Sequence, residues 1–339
     1  MAELPDQLLT NLLKAVSRSF YLTLRILPES VRPQMGLAYL LARTTDTVAD
    51  TELVPEKQRL ESLHALRDRI LGRQSAPMDL GELARHQGSP AERVLLERCE
   101  TSLQLLLTLP APEQQLIRDV LDTIISGQEM DLRRFGQSSA IVSLPSEVEL
   151  DDYTYRVAGC VGEFWTKLCL RNVFPRAALD DSFLLASAVK FGKGLQLVNI
   201  LRDLPSDLRR GRCYLPGDQL AARGLSGADL LLPENEPRLR PIYDVQLGRA
   251  ASHLAAGWDY TNALPWRHMR VRLACAWPIL IGTRTIAGLR HANVLDPDQH
   301  VKITRRDVRR ILARTVLLYP FRGAWRNLFS EPAGKAVAS

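Results

Sequence analysis

Cysteine is sparse and unpatterned in this chain. Cys99, Cys160, Cys169, Cys213 and Cys275 are scattered and odd in number, and no CxxC spacing joins them. They read as reduced thiols in a cytosolic protein rather than as a disulfide scaffold or a zinc centre. The six histidines, His64, His86, His253, His268, His291 and His300, lack metal-ligand spacing, and no serine-hydrolase arrangement is present. Long hydrophobic runs are also missing. The longest that matters, Leu273 to Thr283, is about half of the roughly 20 residues a membrane-spanning helix needs. The opening MAELPDQLL carries acids where a signal peptide carries lysines, so no export signal is expected. No interdomain linker and no repeat of fixed period interrupts the chain. FGKGLQ at Phe191 to Gln196 has two glycines but no third and no preceding strand, so the dinucleotide-binding fingerprint fails there.

What is present is ample apolar material and an excess of positive charge. With 339 residues, 46% of them hydrophobic, the chain has enough for a large core, and a globular protein is the starting expectation. A formal charge of +6 favours an anionic partner without choosing among nucleic acid, membrane and phosphorylated small molecules. Apolar residues recur at helical spacing, and the Gly and Pro clusters fall between the periodic segments, so the fold class is all-α. Residues 1–330 are expected to form a single helical domain with surface loops at 72–90 and 224–241, followed by a disordered tail at 331–339.

Two acidic segments stand out. Gln196 to Pro216 reads QLVNILRDLPSDLRRGRCYLP, with Asp203 and Asp207 four apart and Gln196 and Asn199 preceding them in 3-4-4 spacing. The acids read as metal ligands and the arginines as partners for an anion that shares the metal. That combination points to a magnesium-bound diphosphate, because Mg²⁺ takes one or two carboxylates and fills its remaining positions with water and phosphate oxygens. Pro205 is expected to end or kink the helix near Asp203, leaving Asp207 on a distorted turn or a loop. The earlier segment, YLLARTTDTVAD at Tyr39 to Asp50, places Tyr39, Arg43, Asp46 and Asp50 near one helix face. Two like charges on one face repel unless solvent or a cation separates them.

These two DxxxD segments, SRSF at Ser17 to Phe20, YTYRVAGCVG at Tyr153 to Gly162 and NILRDLPSDLRRGRCYLP together resemble the motif set of the squalene and phytoene synthases, the head-to-head prenyl synthases. The similarity runs from about Ser17 to Pro216 and more weakly to Leu312, and is most like a bacterial squalene synthase. It implies an all-α isoprenoid-synthase fold around a central cavity, in which two facing acidic motifs bind Mg²⁺, with Mn²⁺ as the alternative metal. Asp46, Asp50, Asn199, Asp203 and Asp207 would be metal ligands, with Gln196 beside the second motif. Ser17, Arg18, Ser19, Arg43, Arg202 and Arg212 would surround the diphosphates, with Arg209 and Arg210 as weaker members. Tyr153 would assist proton removal or stabilise the cation. The implied reaction joins two farnesyl diphosphates through presqualene diphosphate and reduces the product to squalene with NADPH. Phytoene or dehydrosqualene synthesis without reduction is the alternative, and a non-catalytic family member a further one.

Gly159 and Gly162 fit close packing against either a prenyl chain or another helix. The adjacent acids Asp151 and Asp152 read as helix-start charges at a positive dipole end. The basic stretch KITRRDVRRILAR at Lys302 to Arg314 has no aromatic interleaving and no recognised nucleic-acid motif, so nucleic acid is not an expected partner. Followed by VLLYPFRGAW, it fits peripheral contact with the inner face of a membrane by a cytoplasmic enzyme.

Overall fold

A computed structural model describes residues 11–17, 20–136 and 140–330. The expected site residues Arg18 and Ser19 and the tail from Glu331 lie outside the described residues. The all-α expectation is borne out among the described residues, with a single short strand pair beside the helices. The chain divides into two compact units, Met1–Gln137 with Phe164–Arg176, and Ser138–Glu163 with Ala177–Ser339.

The first described elements of the first unit are the helical segments α1 (Leu13–Ser17) and α2 (Phe20–Ile26). Helix α3 (Arg32–Asp50) carries Pro33 in its first turn, where a missing N–H costs nothing. Its side made of Leu37, Leu40, Leu41 and Val48 is buried. That side packs against α4 (Glu56–Leu71), α5 (Pro90–Glu97), α6 (Cys99–Thr108) and the long α7 (Ala111–Phe135). Between α4 and α5, the stretch read from sequence as loop holds a further short helix, Gly81–Arg85. Buried Glu113 accepts from Gln34 Nε2 at 2.8 Å and Asn172 Nδ2 at 3.1 Å, which ties α3, α7 and the Phe164–Arg176 segment together.

In the second unit the YTYRVAGCVG segment is not one uniform helix. It runs from α8 (Glu147–Thr154) through a π-helical turn at Tyr155–Gly159 into α9 (Cys160–Asn172). Such turns cost regular hydrogen bonding and recur at functional sites. The glycines here serve helix packing. A Cβ on Gly162 would lie 2.0 Å from the Ala188 carbonyl oxygen, and one on Gly192 would lie 2.2 Å from that of Ala158. The two backbones therefore meet through reciprocal glycines on α9 and on α10 (Asp181–Arg209).

Helix α10 is the central element of this unit. Leu184, Phe191, Leu197, Leu201, Leu204 and Leu208 on it are all buried. They pack on α11 (Glu236–Ala263) along its length and on α12 (Met269–Leu289). By length and hydropathy α10 is the one described helix that matches a membrane span, and 56% of its apolar window is buried inside the protein.

The expected break at Pro205 does not occur. Helix α10 continues to Arg209 with Pro205 inside it. Proline supplies no N–H for the Leu201 carbonyl four residues back. That carbonyl instead accepts from the buried Tyr243 hydroxyl of α11 at 2.9 Å. An unsatisfied buried carbonyl would cost about 1–3 kcal/mol, so the donated hydroxyl removes much of the penalty that ordinarily ends a helix at proline.

After Arg210, Gly211 adopts φ +77°, a left-handed conformation suited to glycine. The chain then turns into strand β2 (Arg212–Pro216), which pairs in parallel with β1 (Val142–Leu144), Val142 opposite Arg212. This pair is the one sheet among the described residues.

The last helices, α13 (Arg305–Leu318) and α14 (Arg322–Asn327), close on an aromatic cluster. Buried Arg272 donates to the carbonyls of Asn262 and Leu264 and to the Asn262 side chain. Its guanidinium lies 4.6 Å from the Trp266 ring, 5.5 Å from Trp325 and 6.0 Å from Tyr319. Cation–π contact and carbonyl acceptors together stand in for a carboxylate partner.

Candidate active site

In the first unit, α3 presents Arg43, Asp46 and Asp50 within two turns. Arg43 Nη1 donates to Asp46 Oδ2 at 2.5 Å, and its other terminal nitrogen donates to Glu92 of α5. Burial and then the charge of Asp50 raise the Asp46 carboxyl to about 6 against the pull of Arg43, and Asp131 of α7 adds to the same field. Three carboxylates thus share one electrostatic neighbourhood, and a cation placed there would relieve it. Tyr39 donates through its hydroxyl to the Val16 carbonyl at 3.3 Å. Ser17 is buried and gives its hydroxyl to the Leu13 carbonyl.

In the second unit, the unbroken α10 sets Gln196, Asn199, Asp203 and Asp207 along one stripe, which corrects the expectation that Asp207 sits on a distorted turn or loop. Asn199 is exposed, and Gln196, Asp203 and Asp207 are half-buried. Arg202 holds both oxygens of Asp203, with Nε at 2.8 Å and Nη2 at 2.6 Å. The Gly211 turn brings half-buried Arg212 back a few residues after Asp207, at the head of β2. Arg209 and Arg210 are exposed at the helix end.

Tyr153 is buried at 8% exposure, and its ring stacks on Tyr214 at 4.9 Å between centroids and 21° between planes. Sequence reasoning missed Tyr214. Its signal was strand alternation, which places it on the same side of β2 as Arg212, but no strand was expected there. Glu92 and Asp131 were also missed, because each comes from a helix distant in sequence.

Asp151 and Asp152 do not lie in the first turn of α8, which begins at Glu147. Asp151 accepts from Lys193 at 2.7 Å and from Arg249 at 2.5 Å, and Asp152 accepts from Arg156 at 2.8 Å. They are structural ion-pair acids, which corrects the dipole reading.

Among the described residues no three His, Cys, Asp or Glu side chains converge into a closed metal centre. A paired-carboxylate donor set with open positions suits Mg²⁺, which keeps water and takes oxygens from a substrate phosphate. The Phe191–Gln196 segment lies inside α10. There a Cβ on Gly192 would meet the Ala158 backbone and one on Gly194 would meet His253, so these glycines form no phosphate loop.

A helical fold carrying two DxxxD pairs, each with its first acid held by an arginine, belongs to the isoprenoid-synthase class. A family profile described as squalene/phytoene synthase matches residues 13–307. The presqualene diphosphate synthase of Rhodopseudomonas palustris is 31% identical over 253 residues, 75% of this chain and 77% of that protein. The bifunctional lycopene cyclase/phytoene synthase of Blakeslea trispora is 30% identical over 230 residues, 63% of this chain but 34% of that protein. A solved complex of TcSQS with the ligand E5700 shares the fold at a TM-score of 0.78, covering 99% of this chain and 94% of that one at 22% identity. The chain belongs to the squalene/phytoene synthase family, whose members are head-to-head prenyltransferases that bind prenyl diphosphates and generally use a divalent metal.

Proposed function

We propose that the chain joins two farnesyl diphosphates head to head into presqualene diphosphate. The observation that carries this reading is the repeated arrangement of acid pair and arginine, Arg43 with Asp46 and Arg202 with Asp203. The name of the Rhodopseudomonas palustris relative supports the choice of product.

In this reaction the C1–O bond of the first farnesyl diphosphate breaks and its diphosphate departs with the bonding electrons. The C2=C3 double bond of the second attacks the allylic cation, a proton is lost, and the cyclopropane ring closes. Asp46 and Asp50 in one unit, and Asp203 and Asp207 with Asn199 and Gln196 in the other, would each hold Mg²⁺, or Mn²⁺ in its place. The metal supplies positive charge to the diphosphate oxygens. Arg43, Arg202 and Arg212 add planar donors that match phosphate oxygens in pairs, and leaving-group charge is stabilised where it develops. Ser17, Arg18 and Ser19 belong to the same proposed diphosphate-binding set. Tyr153, whose ring is stacked on Tyr214, would stabilise the cation or assist removal of the proton.

Reduction to squalene with NADPH is the further stage expected from the sequence. The described residues offer no dinucleotide fold for it, and no step is derived through NADPH. Cytoplasmic location with peripheral membrane contact belongs to the same proposal.

The test is incubation of the pure protein with Mg²⁺ and farnesyl diphosphate, with and without NADPH, and identification of products by mass spectrometry. Presqualene diphosphate is the expected product, and squalene appearing only with NADPH would extend the activity to both stages. A C40 product from geranylgeranyl diphosphate, or no product from any prenyl diphosphate, would overturn the reading.

A further inference from the structure

Outside the acid pairs, the second unit holds a cavity of about 230 Å³ between α12 and α13. Arg284 and Arg290 line it from the α12 side, and Arg310 and Arg314 from α13. No carboxylate lines it. Arg284, Arg290 and Arg310 make no ion pair among the described residues. The two helices together carry eight arginines and a single acid, Asp307. That acid accepts from the Thr304 hydroxyl at the start of α13. Residues 264–330 contain thirteen lysines and arginines against three aspartates, so this segment alone exceeds the formal +6 of the whole chain. Like charges gathered around one cavity repel, and an anion relieves them.

Apart from Thr283 and Thr315 the rest of the lining is apolar, with Leu280, Ile311 and Phe329 among it. A guanidinium cluster over an apolar floor suits a phosphate that continues into hydrocarbon rather than an inorganic ion. The volume is below the roughly 300–1,000 Å³ of a site that encloses a whole drug-sized ligand, so it fits a headgroup and its first methylenes. Two turns beyond Arg310 on the same stripe of α13 lies Leu317, 70% exposed, and Phe321 just past the helix is 64% exposed. Exposed apolar side chains beside a basic cluster are the composition of a surface that rests on a bilayer.

We propose that this cavity binds the phosphate headgroup of an anionic lipid at a membrane surface, with the four arginines on the phosphate and Leu280, Ile311 and Phe329 against the adjoining chain. The proposal deepens the peripheral-membrane reading but does not depend on the condensation reaction.

The test uses the full chain, with vesicles of phosphatidylcholine alone and vesicles containing phosphatidylglycerol, and reads binding by flotation without turnover. The protein is expected on the anionic vesicles only. Arg284→Gln combined with Arg310→Gln is expected to weaken that binding by about 25-fold, at roughly fivefold for each basic side chain. Ala287→Trp, which fills the cavity and leaves every arginine in place, should weaken it to a similar extent. Arg305→Gln with Arg309→Gln removes the same charge outside the cavity and should cost less. Ala287→Trp binding like the wild type, with its fold verified by circular dichroism, would overturn the site; Ala287→Leu gives the same reading if the larger side chain prevents folding. An equal loss in the outside pair would also overturn it, as a diffuse electrostatic attraction. If inorganic phosphate raises the unfolding temperature through Arg310 while vesicles are ignored, the ligand is a free anion and the lipid assignment fails. Because condensation is assayed separately with soluble farnesyl diphosphate, failure here leaves that reading standing.

Discussion

His253 shows how one side chain reports on its neighbourhood. It sits on α11 beside a network in which Asp151 bridges Lys193 and Arg249. Its Nε2 is buried and has no partner in the described structure. Burial first, then the positive charges of Arg249, Lys193 and Lys190, lower its pKa to about 4, with Asp151 opposing. The unfolded chain binds a proton near pH 6.5 and the folded chain only near 4, so stability is complete above pH 6.5 and falls as the pH drops between those values. Allowing for solvent screening of a half-buried group, the loss is expected to be about 1–2 kcal/mol. Urea unfolding at a series of pH values checks this. His253→Leu should flatten the curve over that window, and an unchanged curve would remove His253 as its source. None of this was legible in the sequence, where His253 is one of six histidines without ligand spacing. A pKa depends on neighbours supplied by α8 and α10.

At the scale of elements, α10 is where sequence and structure part most clearly. The DxxxD spacing, Asn199, Gln196 and the arginines were all legible, because side chains on one helix keep a fixed period. What Pro205 does was not, because the partner that satisfies the Leu201 carbonyl is Tyr243, 42 residues away. The two residues are therefore expected to be coupled. Tyr243→Phe in the wild type should cost about 1–3 kcal/mol by orphaning a buried carbonyl. In a Pro205→Ala background the restored backbone N–H can take over, and the same change should cost about 1 kcal/mol less. Equal costs in the two backgrounds, measured from urea midpoints, would break the link. The π-helical turn and the strand pair were equally hidden. Beside the turn, Gly162 meets the Ala188 backbone and Gly192 meets that of Ala158, and of these two only Gly162 showed in the sequence as a site of close approach.

For the whole molecule, the class was legible from periodicity and the family from four ordered segments, since both are properties of the linear chain. The division into two compact units was not, because it depends on which helices pack together. Each unit carries one acid pair, so the proposed chemistry requires both. Asp46→Asn and Asp203→Asn, one in each unit, remove a charge while keeping the side-chain size. Each is expected to lower turnover by about 100- to 1,000-fold, with helical circular dichroism unchanged. Turnover retained in either variant would remove that acid from the proposed set.

The ion pairs from Arg43 to Asp46 and from Arg202 to Asp203 also bear on the order in which ligands are accepted. Before any substrate arrives, each acid pair is partly neutralised by a cation belonging to the chain itself. A bare divalent ion must displace that arginine, whereas an ion arriving with a diphosphate offers the arginine a new anion. Metal and diphosphate are then linked ligands, each raising the affinity for the other by the same factor. Removing the internal competitor should reverse the sign of an ordinary loss-of-function change: by calorimetry, Arg43→Gln is expected to bind Mg²⁺ alone more tightly than the wild type, while gaining less from added diphosphate.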